Sequence, residues 1–365
     1  MTEHESATAA ETRYLVDPYR EWVAREGLPV HEGFGFDLLS LDLGPWARLD
    51  AKGAFALVTG RGDFVDMQVV EIAPAGKTAP QQHLYEAVVY VLAGQGSTVV
   101  QTPDGERSFE WQTGSLFALP LNARYRHYNG SGKTAARIVS TTNLPLALNV
   151  FRNEDFIWHN PAVFPERFGG ADHYRGDGTL IPMRPGRHMW ETNFVPDLRT
   201  FALKEWGARG AGGSNIMFVL ADGTMHAHIS EMPVGTYKKG HRHGADFHVF
   251  AITGEGYSLY WYEGETELRR LDWKHGTVFA PADRLFHQHF NVSPEPARYL
   301  AIAFGGLRYP TLADKRATFM GMDVSVKEGG RQIEYEDEDP RIRGIYEEEL
   351  RKRGIPSKMD RFQPA

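Results

Sequence analysis

Gly240-His241-Arg242-His243, followed by Gly254-Glu255-Gly256, then Gly276-Thr-Val-Phe-Ala-Pro281 and finally Phe286-His287-Gln288-His289-Phe290-Asn291, is the stretch on which the fold of this chain turns. It has a weaker copy earlier in the same sequence. Shifting the chain by 160 lays Glu71–Gly96 on Glu231–Gly256 without a gap, matching His83 to His243, Gly94 to Gly254 and Gly96 to Gly256. With an offset of 162, Trp111-Gln-Thr-Gly-Ser-Leu-Phe-Ala lies on Trp273-Lys-His-Gly-Thr-Val-Phe-Ala, and His127 and Asn129 fall on His289 and Asn291. An internal repeat sets architecture before any strand is drawn, and two copies of one β-domain explain these matches.

Around the repeat, runs of five to eight residues rich in Val, Phe, Tyr and Thr alternate with turns such as Gly60-Arg61-Gly62-Asp63 and Pro103-Asp104-Gly105. Many short strands with turn signals predict an all-β protein of two sandwiches or barrels. Short helices are expected only at the two ends. Asp17-Pro18 opens one, with Asp17 as its N-cap and Gly27 closing it; Asp339-Pro340 opens another that Gly354 closes. The expected organisation is an N-terminal β-domain over 1–150 with its helix at 17–27, a connection over 151–200, a C-terminal β-domain over 201–330, and an acidic loop with a final helix over 331–365. Residues 1–13 are polar and expected to be disordered.

Composition narrows the function. A length of 365 residues suits two domains, and 47 acidic against 40 basic residues give a net charge of −7, which disfavours nucleic acid and anionic membranes as partners. No apolar run is long enough to span a bilayer and the start lacks a signal-peptide pattern, so a cytoplasmic protein is expected. With no cysteine, thiolate zinc sites, iron–sulfur clusters and cysteine nucleophiles are excluded. Histidine supplies the contrast: eight of the 15 fall between His226 and His289.

Alternation along a strand puts His241 and His243 on one face, where both imidazoles can aim into a barrel. A third histidine from a facing strand completes an open site for a divalent transition metal. His287 and His289 share a face as well, so either can be that third group.

The paired segments resemble the two sequence motifs of the cupin superfamily, here doubled as a bicupin: Gly, His-x-His and a later Gly, then Gly, Pro and a His with an Asn four residues on. The resemblance covers the motif stretch of the second half and its counterpart in the first. It implies two tandem jelly-roll barrels and, carried over residue by residue, a metal held by His241, His243 and His287. The usual glutamate after the His-x-His is missing, its place taken by Phe247 or His248. In this the chain is similar to the gentisate, salicylate and 1-hydroxy-2-naphthoate 1,2-dioxygenases, whose three histidines hold ferrous iron, although those enzymes carry their metal in the first cupin. That similarity implies one first-row transition metal per chain, Fe(II) favoured with Mn, Ni, Cu or Zn open, and a dioxygenase acting on a small phenolic or hydroxy-acid substrate with dioxygen. Two other readings stand beside it: an oxygen-independent isomerase, decarboxylase or lyase, and a non-enzymatic binding or sensing bicupin.

In the first copy the equivalents of the three histidines are Gln81, His83 and Tyr125, which predicts a domain without metal that serves packing. His289, His248 and His228 are further candidates for the ligand set or the pocket, although strand parity turns His248 away from the face of His243. Lys238, Lys239, Arg242 and Arg298 are candidate cations for a substrate carboxylate. The run Glu334 to Asp339 reads as a solvated loop, and the barrel edges and capping helices suggest a homo-oligomer.

Overall fold

A computed structural model describes residues 15–362 except 61, 245, 246, 307 and 310–322. The expected disorder of residues 1–13 lies outside the described residues. The chain forms two β units, each made of one large sheet facing a three-stranded one. In the first, the large sheet runs Val30–Gly33, Ala51–Val58, Asp66–Ile72, Ala136–Thr142, Ala87–Ala93, Leu116–Ala118, Phe194–Val195, and the small one Tyr125–Asn129, Gln95–Thr102, Gly105–Gln112. The second repeats this order with Arg187–Thr192, Ser214–Leu220, Met225–Met232, Ala297–Phe304, His248–Thr253, Thr277–Phe279 and Gly35–Asp37 facing Phe286–Asn291, Gly256–Trp261 and Arg269–Trp273. The all-β reading with tandem double-sheet units holds.

The repeat survives in detail. Isolated bridges join Gln81 to Tyr125 in the first unit and His241 to His287 in the second, at matching positions. Asn129 donates its side-chain amide to the carbonyls of Ile72, Ala73 and Thr134, and Asn291 does the same to Met232, Pro233 and Glu295. The motif asparagine is therefore a backbone clamp that closes a loop, a structural duty present in both copies. Gly96 and Gly256 explain the shared glycine. A Cβ on Gly256 would stand 2.0 Å from the Phe290 carbonyl oxygen and 2.3 Å from the Trp273 indole, and one on Gly96 would meet Tyr128 and Trp111 in the same way. Gly256→Ala is expected to destabilise the protein by about 3 kcal/mol or more, because the obstacle includes sheet backbone that cannot step aside; urea unfolding checks this, and an unchanged midpoint would contradict it.

Each unit lends a strand to the other. Gly35–Asp37, from the N-terminal part, pairs antiparallel with Thr277–Phe279 of the second large sheet, and Phe194–Val195, from the connection, pairs with Leu116–Ala118 of the first. Both strands cover a sheet edge that would otherwise expose unpaired backbone. They also cross the boundaries expected near 150 and 200.

Strand parity divides the side chains. In Ala87–Ala93, Val88, Tyr90 and Leu92 join a core shared by the two large sheets, whereas Val89 and Val91 enter the first barrel. Tyr90 meets Phe250, its equivalent by the 160 offset, across that shared core with ring centroids 5.9 Å apart. Asp17 caps the helix Pro18–Glu26 and Asp339 caps Pro340–Arg353, with Gly27 and Gly354 left-handed at their ends, as expected from sequence. Two helices around the boundary at 150, Leu144–Phe151 and Glu154–Trp158, were not expected. Together with Tyr19, Trp22 and Val23 they close the first barrel, burying Leu148, Ile157 and Trp158 in its core. No helix among the described residues is long and apolar enough to cross a membrane.

Candidate metal centre

The second barrel keeps an internal cavity, and exchanges at inward positions line it with polar groups. Strand pairing sets Val70 opposite Ile138 in the first unit and Ser230 opposite Tyr299 in the second; Gln68 is replaced by His228 and Asp66 by His226. Apolar Val70 and Ile138 give way to a hydroxyl and a phenol, and the other two exchanges bring in imidazoles, so the interior is polar. A cavity of about 30 Å³ remains, lined by His226, His228, His241, His243, His287 and His289.

Nitrogen atoms of His241, His287 and His289 lie within 4.8 Å of one another. His243 lines the same cavity, its ring centroid 4.6 Å from that of His287 and 5.8 Å from that of His241. The group proposed from sequence, His241, His243 and His287, thus shares two members with the tightest trio, and all four rings meet at one place.

Their outer nitrogens are spoken for. The Nδ1 of His241 faces the Lys239 carbonyl at 3.2 Å, that of His243 the Gly244 carbonyl at 2.7 Å, and that of His287 the Leu285 carbonyl at 2.9 Å. A carbonyl oxygen only accepts, so each Nδ1 carries the hydrogen and Nε2 keeps its lone pair, the tautomer that binds metal. Burial reinforces this. It holds His241, His243 and His289 well below the ordinary imidazole value and lowers His287 to about 4, so the rings are neutral at pH 7. The donor set therefore fits a divalent first-row transition metal with nitrogen ligands.

His289 differs from the other three. Its Nδ1 meets the Ser258 hydroxyl at 2.7 Å, and that hydroxyl accepts from the Trp273 indole. In the first barrel His127, Thr98 and Trp111 form the same chain. The arrangement is common to both barrels, and it too leaves Nε2 of His289 toward the cluster. In the first barrel both nitrogens of His83 are engaged, by the Tyr85 carbonyl and the Tyr125 hydroxyl, and Glu86 accepts from Arg167 and from Thr224 of the second unit.

Parity sorts the remaining candidates. His226 and His228 point inward, their rings joined by a 2.8 Å contact from Nε2 to Nδ1. His248 points the other way, into the core between the units, where its Nδ1 lies 3.4 Å from the Thr141 hydroxyl; the position one residue earlier, Phe247, lines the cavity where a glutamate was expected.

Of the cations named from sequence, only Lys238 lines the cavity. Lys239 pairs with Glu334, Arg242 with Glu263 and Arg298 with Glu231. Arg187 and Arg209 join Lys238 in the wall, all three about 4% exposed or less. Burial lowers Lys238 and Arg209 and brings Arg187 down to about 10. Burial alone would raise the Tyr299 hydroxyl, but Lys238 and Arg209 outweigh it and hold the group below its usual value. The repeat carried a signal for Lys238, since Thr78 is its equivalent and both backbone amides donate to the matching histidine carbonyl. Arg187 and Arg209 lie outside the repeated blocks and gave none. Arg209 is positioned by Gln332, whose side-chain oxygen accepts from it at 3.1 Å. Gln332 also bridges His241, so the acidic run that follows is tied to the site: Glu334 binds Lys239, and Glu338 accepts from Tyr237.

The sequence matches no protein-family model and no curated protein. Solved structures similar to the chain include a variant of Bacillus subtilis oxalate decarboxylase, 13% identical over 81% of this chain and 82% of that one with a TM-score of 0.49. Another is the formate complex of Lactobacillus farciminis oxalate decarboxylase, 13% identical over 81% of this chain and 95% of that one, TM-score 0.48. At these values the likeness transfers neither residues nor activity.

Proposed function

We propose that this chain is a metal-dependent enzyme of the cupin type that acts on a small organic acid. The observation that carries the reading is the cavity wall: six histidines and three buried cations and, among the described residues, no carboxylate. A metal site meant only to hold the fold is closed by four protein ligands; a cavity rich in neutral imidazole and cations leaves the negative charge to be brought by the substrate.

His241 and His287, with His243 or His289, would hold the metal, which when bound would supply Lewis acidity, a template for the substrate and, as iron, activation of dioxygen. The chain's own residues do the rest. Backbone carbonyls fix three of the rings in the metal-binding tautomer. Lys238 and Arg209 offer charged N–H donors to an acid oxygen, and Trp206, Met217, Phe247 and Val249 keep bulk water out of the wall.

The three-histidine resemblance supports a ferrous dioxygenase acting on a hydroxy acid. An oxygen-independent decarboxylase or lyase is the second reading, and the narrowness of the cavity favours it, since a short aliphatic acid asks for less room than a ring. Incubating metal-loaded protein with a panel of aliphatic and phenolic hydroxy acids, in an oxygen electrode and under anaerobic conditions, separates the two: oxygen consumed in step with substrate supports the oxygenase, and undiminished anaerobic turnover supports the lyase. No turnover in either condition with any acid would count against the enzyme reading.

A further inference from the structure

We infer that the cavity holds two acid groups of one substrate, one on the metal and the second in a subsite formed by Lys238, Arg187, Arg209 and Asn215. The inference rests on the reading of the histidine cluster as a metal centre and adds to it the substrate class, a small dianion. Strand pairing places Asn215, Ser230 and Tyr299 side by side at one level of the barrel, and Met217, His228 and Ala301 at the next. Tyr299 touches both groups: its ring centroid lies 4.9 Å from that of His289 and 5.1 Å from the Lys238 ammonium. The cationic wall and the histidines thus share Tyr299 as a neighbour and line one cavity, so a single small diacid can address both.

Beyond Tyr299 the wall is built for charge. Trp206 carries the guanidinium of Arg187 4.8 Å from its ring and that of Arg209 5.7 Å away. Arg187 also directs an N–H at the Met217 sulfur, 3.3 Å away, a weak acceptor that an acid oxygen would displace. The acids whose charge reaches these groups, Asp323, Glu334 and Glu231, are not among the residues lining the cavity.

An independent mark of a ligand is the side chain of Asn215. It is 2% exposed, lines the cavity, and its Oδ1 has no hydrogen-bond partner, although a buried polar atom is costly to leave unmade. Its amide nitrogen sits 3.4 Å from the Ser230 hydroxyl. A hydroxyl both donates and accepts, so a half-turn of the amide keeps that contact and presents N–H₂ to a bound carboxylate.

The test uses the metal-loaded full chain and calorimetric titration with malonate and succinate against acetate and propionate. The expected result is at least tenfold tighter binding of one of the diacids than of either monoacid, a ratio that collapses toward one in Lys238→Met and in Arg187→Met while both variants keep their metal. Monoacids binding the wild type as tightly as diacids would overturn the inference without any variant being needed, as would a ratio that survives both substitutions in folded protein. Chelator-treated protein separates the two claims. Diacid binding that persists there and still depends on Lys238 supports the subsite while removing the metal reading; a metal-loaded protein indifferent to the second acid group removes the subsite alone.

Discussion

Replacing His241 with alanine leaves a folded protein that has lost its metal. The expectation follows from where His241 stands: it belongs to the trio of nitrogens within 4.8 Å, its ring centroid is 4.2 Å from that of His287, and its backbone is bonded on both sides, to His287 and through a bridge to Gln332. Truncation removes the ring and keeps those backbone bonds, so the barrel persists. Loss of a supporting partner alone typically costs 10- to 100-fold in metal affinity, and loss of a ligand costs more, about 100-fold or beyond. Equilibrium dialysis against a divalent metal, followed by elemental analysis, reads the effect. A variant that retains a full equivalent with unchanged affinity would remove His241 from the centre. His83→Ala, at the position of the first barrel that matches His243, is the control: both ring nitrogens of His83 are engaged within the protein, and metal content is expected to stay at the wild-type level.

Acid should unfold this protein steeply. Burial depresses seven histidines: His83 and His287 to about 4, His127 to about 3, and His228, His241, His243 and His289 well below the ordinary 6.5. Above pH 6.5 both folded and unfolded chains hold these rings neutral, and no dependence arises. Below it the unfolded chain takes up protons that the folded chain refuses, so stability falls as pH falls, by up to about 1.4 kcal/mol per pH unit for each ring. Set against a total of about 5 to 15 kcal/mol for a typical protein, four such rings remove about 11 kcal/mol within two pH units, most or all of that margin. Urea unfolding of chelator-treated protein between pH 7 and pH 4.5 is expected to lose stability progressively, with a slope equivalent to the uptake of about four protons or more. A flat profile over that window would mean that the rings are open to water. Bound metal adds to the slope in loaded protein, because protons and metal compete for Nε2.

Much of this was legible in the repeat. The offsets of 160 and 162 paired Gln81 with His241 and Tyr125 with His287, and the structure bridges those residues in both units. Parity along a strand alone turns His248 away from His243, as the fold does, and Asp17, Gly27, Asp339 and Gly354 mark the two terminal helices because capping is a local matter of a few backbone donors and acceptors. Strand exchange between the units was not legible. Gly35–Asp37 and Phe194–Val195 are short, and their partners are more than 70 residues away, so nothing local names the edge they cover. The cationic wall was half visible. Lys238 stands out as a replacement for Thr78 once the copies are laid together, whereas Arg187 and Arg209 come from segments with no counterpart in the repeated blocks. Glu334 to Asp339 read as solvated because charge runs usually are, but here Tyr335 is buried beneath the run and pulls Glu334 and Glu338 onto Lys239 and Tyr237.

Elemental analysis of freshly purified protein tests the central claim most directly. The account predicts about one first-row transition metal per chain, bound by neutral imidazoles and released as pH falls toward 4. Native, active-state protein with no such metal, and with none taken up from manganese, iron or zinc added in excess, would contradict it.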